Sequence, residues 1–164
     1  SDVYKRQALN ERYGTPYDLK SFVDQAHLRG IAVILDQVWN HVRREGALYQ
    51  IQKNYDLNPY LKPWTQTNTN ENQESWGQED LDHFNLKTVE YVNNVNKIFL
   101  DEYKIDGFRF DAGRYIGWDL DQPQLGLKAW TDALQEYDNN VIQIIEYLPS
   151  DPWLINTLKG AQRQ

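Results

Sequence analysis

The chain has 164 residues, of which 40% are hydrophobic, and this is enough for one domain with a buried core. Twenty-four acidic residues against 17 basic ones give a formal net charge of −7, which disfavours binding to nucleic acid or to an anionic membrane surface. Cysteine is absent from the sequence, and this excludes disulfides and thiolate metal sites. These properties favour a neutral or cationic partner.

The N-terminal stretch SDVYKRQ lacks the apolar run of a signal peptide, and we interpret residues 1–7 as a non-native scar. The sequence contains no methionine, even at position 1, so we expect it to be a fragment. No apolar run approaches the roughly 20 residues that span a bilayer. Neither the localisation nor the oligomeric state is predicted.

The first predicted element is a helix over about residues 18–29. It follows a Thr-Pro start, carries apolar residues at helical spacing and stops at Gly30. The next residues, IAVIL at positions 31–35, form a continuous apolar run, which is typical of a strand covered on both faces in a parallel sheet. This predicted strand ends at Asp36.

The region from 42 to 85 is rich in polar residues and aromatic clusters and has no sustained period, which predicts a loop-rich inserted subdomain. The segment KTVEYVNNVNKIFLDEYK then returns to helical period over 87–104. The strand IDGFRFD follows, then a helix over about 126–137 and a last strand, VIQIIEY. This alternation predicts an α/β fold with parallel strands and right-handed crossovers. Three strands are too few to close a barrel.

The stretch GFRFDAGRY alternates apolar and charged side chains. In a strand, Phe108 and Phe110 would point to one face, while Arg109 and Asp111 would point to the other. Such a pair often stabilises a fold no better than apolar residues would, so its presence indicates a role in reactivity.

An acid closes each of the three predicted strands: Asp36, Asp111 and Glu146. An isolated acid at such a place more often caps a helix. Because the carboxyl ends of parallel strands form one edge, three acids in register favour an active site at that edge.

These residues resemble a known family. GIAVILDQVWNH, GFRFDAGRY and IIEY are similar in order and spacing to catalytic regions of the α-amylase family, glycoside hydrolase family 13, and LDHFN resembles its additional short motif. The resemblance implies a partial (β/α)8 TIM barrel, from about the second helix through the fifth strand. Residues 8–41 and 86–164 would form the barrel part, with 42–85 as a subdomain inserted after the third strand.

The family chemistry implied by this resemblance is retaining hydrolysis of α-glucosidic bonds in starch-type and glycogen-type glucans. It assigns Asp111 as the nucleophile and Glu146 as the general acid/base, with the two carboxyl groups roughly 5–5.5 Å apart. Arg109 would keep Asp111 ionised, because a neighbouring guanidinium favours the charged form. Glu146 would have to stay protonated near its working pH, and its apolar flank VIQII is compatible with this.

Further roles follow from the same resemblance. Asp36 would support the site through a hydrogen bond to Arg109, and His41 would donate to substrate hydroxyls. Arg114 stands where amylases that act on linear starch often have lysine, which predicts altered binding of the leaving-group glucan. The inserted region adds three candidate aromatic residues for stacking on sugar, which could equally pack the core of the insertion: Tyr60, Trp64 and Trp76.

No cofactor is required for this chemistry, and we predict no metal-ligating residue. Asn40 matches a position that often binds a structural calcium ion in the family. However, His83 replaces the usual aspartate of the short motif, and Tyr115 replaces the usual histidine after the nucleophile. Calcium needs several oxygen ligands, so the resemblance leaves calcium open.

The family's third carboxylate would lie beyond Gln164, so we expect the chain alone to be inactive. An α-glucan transglycosylase, or a branching or debranching enzyme, would use the same two carboxylates and is the nearest alternative. A catalytically silent glucan-binding relative is an alternative of another class. A barrel metalloenzyme using Asp36, His41 and Glu146 ranks lowest, because these residues lack a recognisable ligand spacing.

Overall fold

The computed structural model describes residues 12–43, 45, 79–117 and 123–147. The proposed scar, most of the predicted inserted subdomain, its three candidate stacking aromatics and the last 17 residues lie outside the described residues. None of the helices in the described part is both long enough and apolar enough to cross a membrane. The elements in chain order are α1 Pro16–His27, β1 Ile34–Gln37, β2 His41–Val42, β3 Glu79–Asp80, α2 Leu86–Tyr103, β4 Gly107–Phe110, α3 Gly113–Ile116, α4 Gly126–Tyr137 and β5 Ile142–Ile145.

Three parallel strands form the main sheet, in the order β1-β4-β5. Helix α2 lies between β1 and β4 in the chain, and α4 lies between β4 and β5, so the predicted parallel α/β arrangement is confirmed. A second pairing, between β2 and β3, is antiparallel and was not predicted. It joins the start of the predicted insertion, at residues 41–42, to residues 79–80 near the end of that insertion.

The start of α1 shows why this helix forms where it does. Thr15 is the N-cap and shares a reciprocal capping box with Asp18, and a proline occupies the first turn. The helix begins and ends two residues earlier than predicted. The amide of Ile31 still donates to the carbonyl of Ala26, so the first residue of the apolar run belongs to the end of the helix.

The core lies between the sheet and helices α2 and α4. Phe108 and Phe110 are fully buried, as the alternating pattern predicted, and the Phe110 ring stacks on Trp130 of α4 with centroids 6.4 Å apart. Helix α2 presents the predicted apolar stripe to this core, through Val89, Val92, Val95 and Phe99. The bounds of α4 agree with the prediction.

Within the described residues, the predicted strand at 31–35 is covered on one face only. The strand begins at Ile34, three residues late, and includes Asp36, which therefore lies inside it. Ile34, Ile142 and Ile144 are 37–46% exposed, because α2 and α4 cover only the opposite face of the sheet. The exposed face is the one that carries Arg109.

Candidate active site

Four of the predicted residues meet at the carboxyl end of the sheet. Arg109 Nη1 lies 2.5 Å from Asp36 Oδ1 and 3.0 Å from Asp111 Oδ1, and Arg109 Nη2 lies 2.8 Å from Glu146 Oε1. We call Asp36, Arg109, Asp111 and Glu146 the charged cluster. One guanidinium thus serves three carboxylates, whose side chains are 27–57% exposed. The acceptors Asp36 and Asp111 raise the pKa of Arg109, so this residue is always a cation.

Strand register brings these side chains together. Asp36 on β1 is paired with Arg109 on β4, so both project from the same face. The ladder continues past the strand ends, since the Asp111 amide donates to the Gln37 carbonyl at 3.0 Å and the Glu146 amide donates to the Phe110 carbonyl at 2.9 Å. The acids therefore converge because the sheet does not splay where the strands end.

The turn after β4 holds Glu146 from the other side. Ala112 adopts the left-handed conformation, with φ of 52° and ψ of 36°, and its amide donates to Glu146 Oε2 at 3.0 Å. The next amide, of Gly113, donates to the Glu146 carbonyl at 2.9 Å. Sequence reasoning missed this turn. Two small residues directly after the acid, in DAG, are the only sequence signal that could have indicated it.

The protonation expected of Glu146 needs correction. The Ala112 hydrogen bond and the positive charge of Arg109 lower the pKa of this carboxyl, and partial burial opposes them only in part. The apolar run VIQII does not keep Glu146 neutral, because the side chain is one-third exposed and has two strong donors. Glu146 is therefore an anion in this arrangement at neutral pH.

The remaining predicted residues flank the cluster along the chain. His41 lies on β2, with Nδ1 3.4 Å from Asn40 Nδ2, and it is partly buried. Arg114 lies on the short helix α3, which begins two residues after Asp111, and it is also partly exposed. The direct contacts given above join only Asp36, Arg109, Asp111 and Glu146.

The residues at the expected calcium position do not fit that ion. His83 is fully buried, and its Nε2 lies 3.0 Å from the carbonyl of Trp39, while its ring meets Trp130 edge-on at 5.9 Å. Burial lowers the pKa of His83 to about 4, against the opposing effect of backbone hydrogen bonds to Trp39 and Asn40. The position offers a neutral imidazole instead of an oxygen ligand. Within the described ranges, no group of three or more His, Cys, Asp or Glu side chains is placed so that it could hold a metal ion.

Acids and a guanidinium at the carboxyl end of parallel strands, on an α/β scaffold, are typical of barrel-type enzyme active sites. Comparison with known families agrees with this class. The model of the family described as "Alpha amylase, catalytic domain" matches residues 2–151. The chain belongs to this family, glycoside hydrolase family 13.

Individual relatives are longer than this chain. It is 34% identical over 150 residues to malto-oligosyltrehalose trehalohydrolase of Saccharolobus solfataricus, which covers 91% of the chain and 24% of the relative. It is 33% identical over 107 residues to a 1,4-α-glucan-branching enzyme of Debaryomyces hansenii, covering 64% of the chain and 14% of that enzyme. The chain thus spans about a quarter or less of the length of these relatives.

The fold agrees with solved α-amylase structures. An α-amylase from Geobacillus thermoleovorans, crystallised with acarbose, superposes with a TM-score of 0.73 at 25% identity. The match covers 94% of this chain and 34% of the amylase. Such neighbours are TIM-barrel proteins, and this chain is a partial α/β fragment with a parallel sheet.

Proposed function

We propose that the chain carries the nucleophile and the acid/base of a retaining enzyme that acts on α-glucosidic bonds of starch-type and glycogen-type glucans. The observation that carries this proposal is the convergence of Asp111 and Glu146 on one guanidinium, within 3.0 and 2.8 Å. The printed names of the two relatives, a malto-oligosyltrehalose trehalohydrolase and a 1,4-α-glucan-branching enzyme, support an α-glucan as the substrate class.

The close approach of the two carboxyl groups supports retention. Asp111 Oδ1 and Glu146 Oε1 lie 3.0 and 2.8 Å from the two terminal nitrogens of the same guanidinium. Inverting glycosidases separate their two carboxyl groups by roughly 6.5–9.5 Å to admit a water, whereas retaining ones need only about 5–5.5 Å. Two carboxyl groups held by one guanidinium are consistent with the shorter separation.

In the proposed reaction, Asp111 attacks the anomeric carbon while Glu146 donates a proton to the departing glycosidic oxygen. The bond to the leaving glucan breaks as the ester bond to Asp111 forms. Glu146, now ionised, then takes a proton from water or from a sugar hydroxyl, and the resulting oxygen nucleophile releases the sugar from Asp111. Arg109 orients the nucleophile, and Asp36 holds Arg109 in place.

Glu146 must gain a proton before the first step, although its resting pKa is lowered. A bound glucan would exclude water from the carboxyl and would compete for its contact with Arg109. Both changes favour the neutral acid. We propose that substrate binding supplies this shift, and that His41 and Arg114 bind hydroxyls of the cleaved sugar and of the leaving glucan.

We further propose that the 164 residues alone turn over no glucan, because the family's third acid would lie after Gln164. The chemistry needs no metal. Calcium is not part of the proposal, since His83 is a poor ligand for it.

The same two carboxylates would also serve a transglycosylase or branching enzyme, because a sugar hydroxyl can replace water in the second step. The match to branching enzymes favours this as the second candidate. Product analysis distinguishes the two: hydrolysis releases new reducing ends, whereas transfer conserves their number.

The test compares the 164-residue chain with a longer form from the same source that carries it, each assayed on starch and maltooligosaccharides. We expect turnover only from the longer form. In that form, Asp111→Asn should reduce turnover by roughly 10⁴-fold, because the nucleophile is lost. Asp106→Asn, at the other end of the same strand, is the matched control and should retain activity.

Two outcomes would contradict the proposal. Robust turnover by the 164-residue chain would refute its inactivity. Unchanged turnover in Asp111→Asn would refute the assigned nucleophile. A silent glucan binder would bind glucan equally well with and without this substitution and turn over none.

A further inference from the structure

We infer that Ala112 is a positioning residue for Glu146: its left-handed backbone directs a main-chain amide at Oε2 and fixes the orientation of that carboxylate. The catalytic meaning of this inference rests on the proposed function, but its test does not. The observations that carry it are the backbone conformation of the turn, two hydrogen bonds and the tight contact of the turn with β5.

The backbone of Ala112 is uncommon for its residue type. A non-glycine residue with positive φ is rare, because Cβ crowds the neighbouring carbonyl, and such residues concentrate at functional sites. Ala112 is 7% exposed, with φ of 52°, and it directly follows the proposed nucleophile. The conformation therefore occurs at a buried position beside the reacting groups.

The left-handed residue makes two successive amides face the same acceptor residue. The Ala112 amide reaches Glu146 Oε2 at 3.0 Å, and the Gly113 amide reaches the Glu146 main-chain carbonyl at 2.9 Å. Successive amides that point the same way form a concavity suited to an anion. One amide thus binds the carboxylate, and the other binds the backbone that carries it.

The turn is tightly packed against β5. A Cβ added at Gly113 would lie 2.6 Å from Ile145 Cγ2 and 3.1 Å from the Glu146 carbonyl oxygen. A larger residue there would push the turn away from β5. The amide of Ala112 is therefore held at hydrogen-bond distance by the packing of this turn against β5, whereas the other donor, Arg109, is at the end of a long side chain.

The two oxygens of Glu146 have different partners, and this assigns the catalytic proton. Arg109 Nη2 contacts Oε1, and the Ala112 amide contacts Oε2. An oxygen that accepts an amide N–H is best left as the carbonyl oxygen of a neutral carboxyl. The proton that Glu146 donates then resides on Oε1, after substrate has displaced Arg109.

The first experiment uses the unmodified 164-residue chain. The amide proton of Ala112 should follow the titration of Glu146 in NMR spectra and move upfield as the carboxylate is protonated, because the hydrogen bond weakens. In Glu146→Gln this titration should vanish, while the Gly113 amide should still be hydrogen-bonded. An Ala112 amide that does not sense the titration would overturn the inference.

The second experiment removes the amide itself. Incorporation of L-lactate at position 112 replaces the N–H by an ester oxygen, and glycolate at position 113 is the matched control in the same turn. The carboxyl pKa of Glu146, followed by ¹³C NMR, should rise in the 112 ester and stay near its original value in the 113 ester. Ala112→Gly keeps the N–H and should behave as the unmodified chain.

The results separate the two proposals. Equal shifts in both esters, or none in either, would refute the positioning role whatever the activity of the longer form. If only the ester at position 112 shifts the Glu146 titration, the positioning role of Ala112 is supported. If Asp111→Asn in the longer form also remains active, the assignment of Asp111 as the nucleophile is wrong.

Discussion

Acids lie at both ends of strand β4, but the numbers of donors and of positive charges that face them differ. At the amino end, Asp106 Oδ2 lies 2.6 Å from the Val33 amide and 2.8 Å from His27 Nε2, so this acid has two donors. At the carboxyl end, one cation, Arg109, faces three acids. Acids in excess of bases are unfavourable for stability alone. The difference agrees with a structural role for the amino end and with the catalytic role that we propose for the carboxyl end.

The main chain supports this contrast. The Asp106 amide donates to the Val33 carbonyl at 2.8 Å, and the Asp106 carbonyl accepts from the Ile142 amide at 2.9 Å. This single residue therefore joins the beginnings of all three parallel strands. Glu146 has main-chain bonds of the same kind, to Phe110 and Gly113, but it shares its cationic partner with Asp36 and Asp111.

The largest change in stability is expected from His83, a fully buried residue whose imidazole hydrogen-bonds the Trp39 carbonyl. Its role is structural, which sets it apart from the acids of the charged cluster. Its pKa is lowered from 6.5 to about 4 in the fold. The unfolded chain therefore takes up a proton that the folded chain resists. The contribution of His83 to the free energy of unfolding should be at its maximum above pH 6.5 and should be about 3 kcal/mol smaller at pH 4.

Denaturant unfolding of the chain between pH 7 and pH 5 measures this slope before most carboxylates titrate. His83→Gln keeps an N–H donor for the Trp39 carbonyl and removes the titration, so it should flatten the profile. A profile equally steep in this variant would show that the slope comes from another group.

The next effect is expected from Arg109→Met, which leaves the three acids facing one another. We expect a loss of about 1–2 kcal/mol at pH 7, because charge-assisted hydrogen bonds are lost from a partly exposed site. The loss should shrink toward pH 4 as the carboxylates become neutral. Thermal unfolding at both pH values measures it.

Arg109→Lys provides the control, since it keeps the positive charge and loses the planar fork. The stability of this variant should lie between that of Arg109→Met and that of the unmodified chain. If Arg109→Met were as stable as the unmodified chain at pH 7, the excess of acid at this end would carry no energetic cost. The contrast between the two ends of β4 would then be wrong.

The smallest effect is expected at the amino end. Asp106→Asn retains one oxygen acceptor for the Val33 amide and loses the ionic part of the contact with His27, so we expect a loss of about 1 kcal/mol or less. Denaturant unfolding at pH 6, compared with that of His27→Gln, would show whether the pair acts as a unit. Fully additive losses in the double variant would argue against their coupling.

Much of the scaffold could be predicted from the sequence, because it depends on local pattern. Apolar spacing placed α4 at its observed bounds and identified the buried stripe of α2. Alternation placed Arg109 and Phe108 on opposite faces of β4. The expected contact between Asp36 and Arg109 is confirmed at 2.5 Å.

The misses depend on relations between distant segments. The apolar run at 31–35 looked like one strand, but Ile31 bonds back to the preceding helix. The protonation state of Glu146 depends on Ala112, a donor 34 positions earlier in the chain, and only the register of β4 and β5 brings the two together. The β2-β3 pairing spans two residues on each side, too few to produce a period.

The two glycines that bracket the charged stretch define the smallest unit that could be moved to another protein. A Cβ at Gly107 would lie 2.1 Å from the Ile142 carbonyl oxygen, and one at Gly113 would collide with Ile145, so the chain packs tightly against β5 at both ends of GFRFDAG. Grafting Arg109 and Asp111 onto a foreign sheet without these glycines would separate the neighbouring strand and with it the second acid. A transplantable form of this site is therefore a pair of strands with a fixed spacing between them.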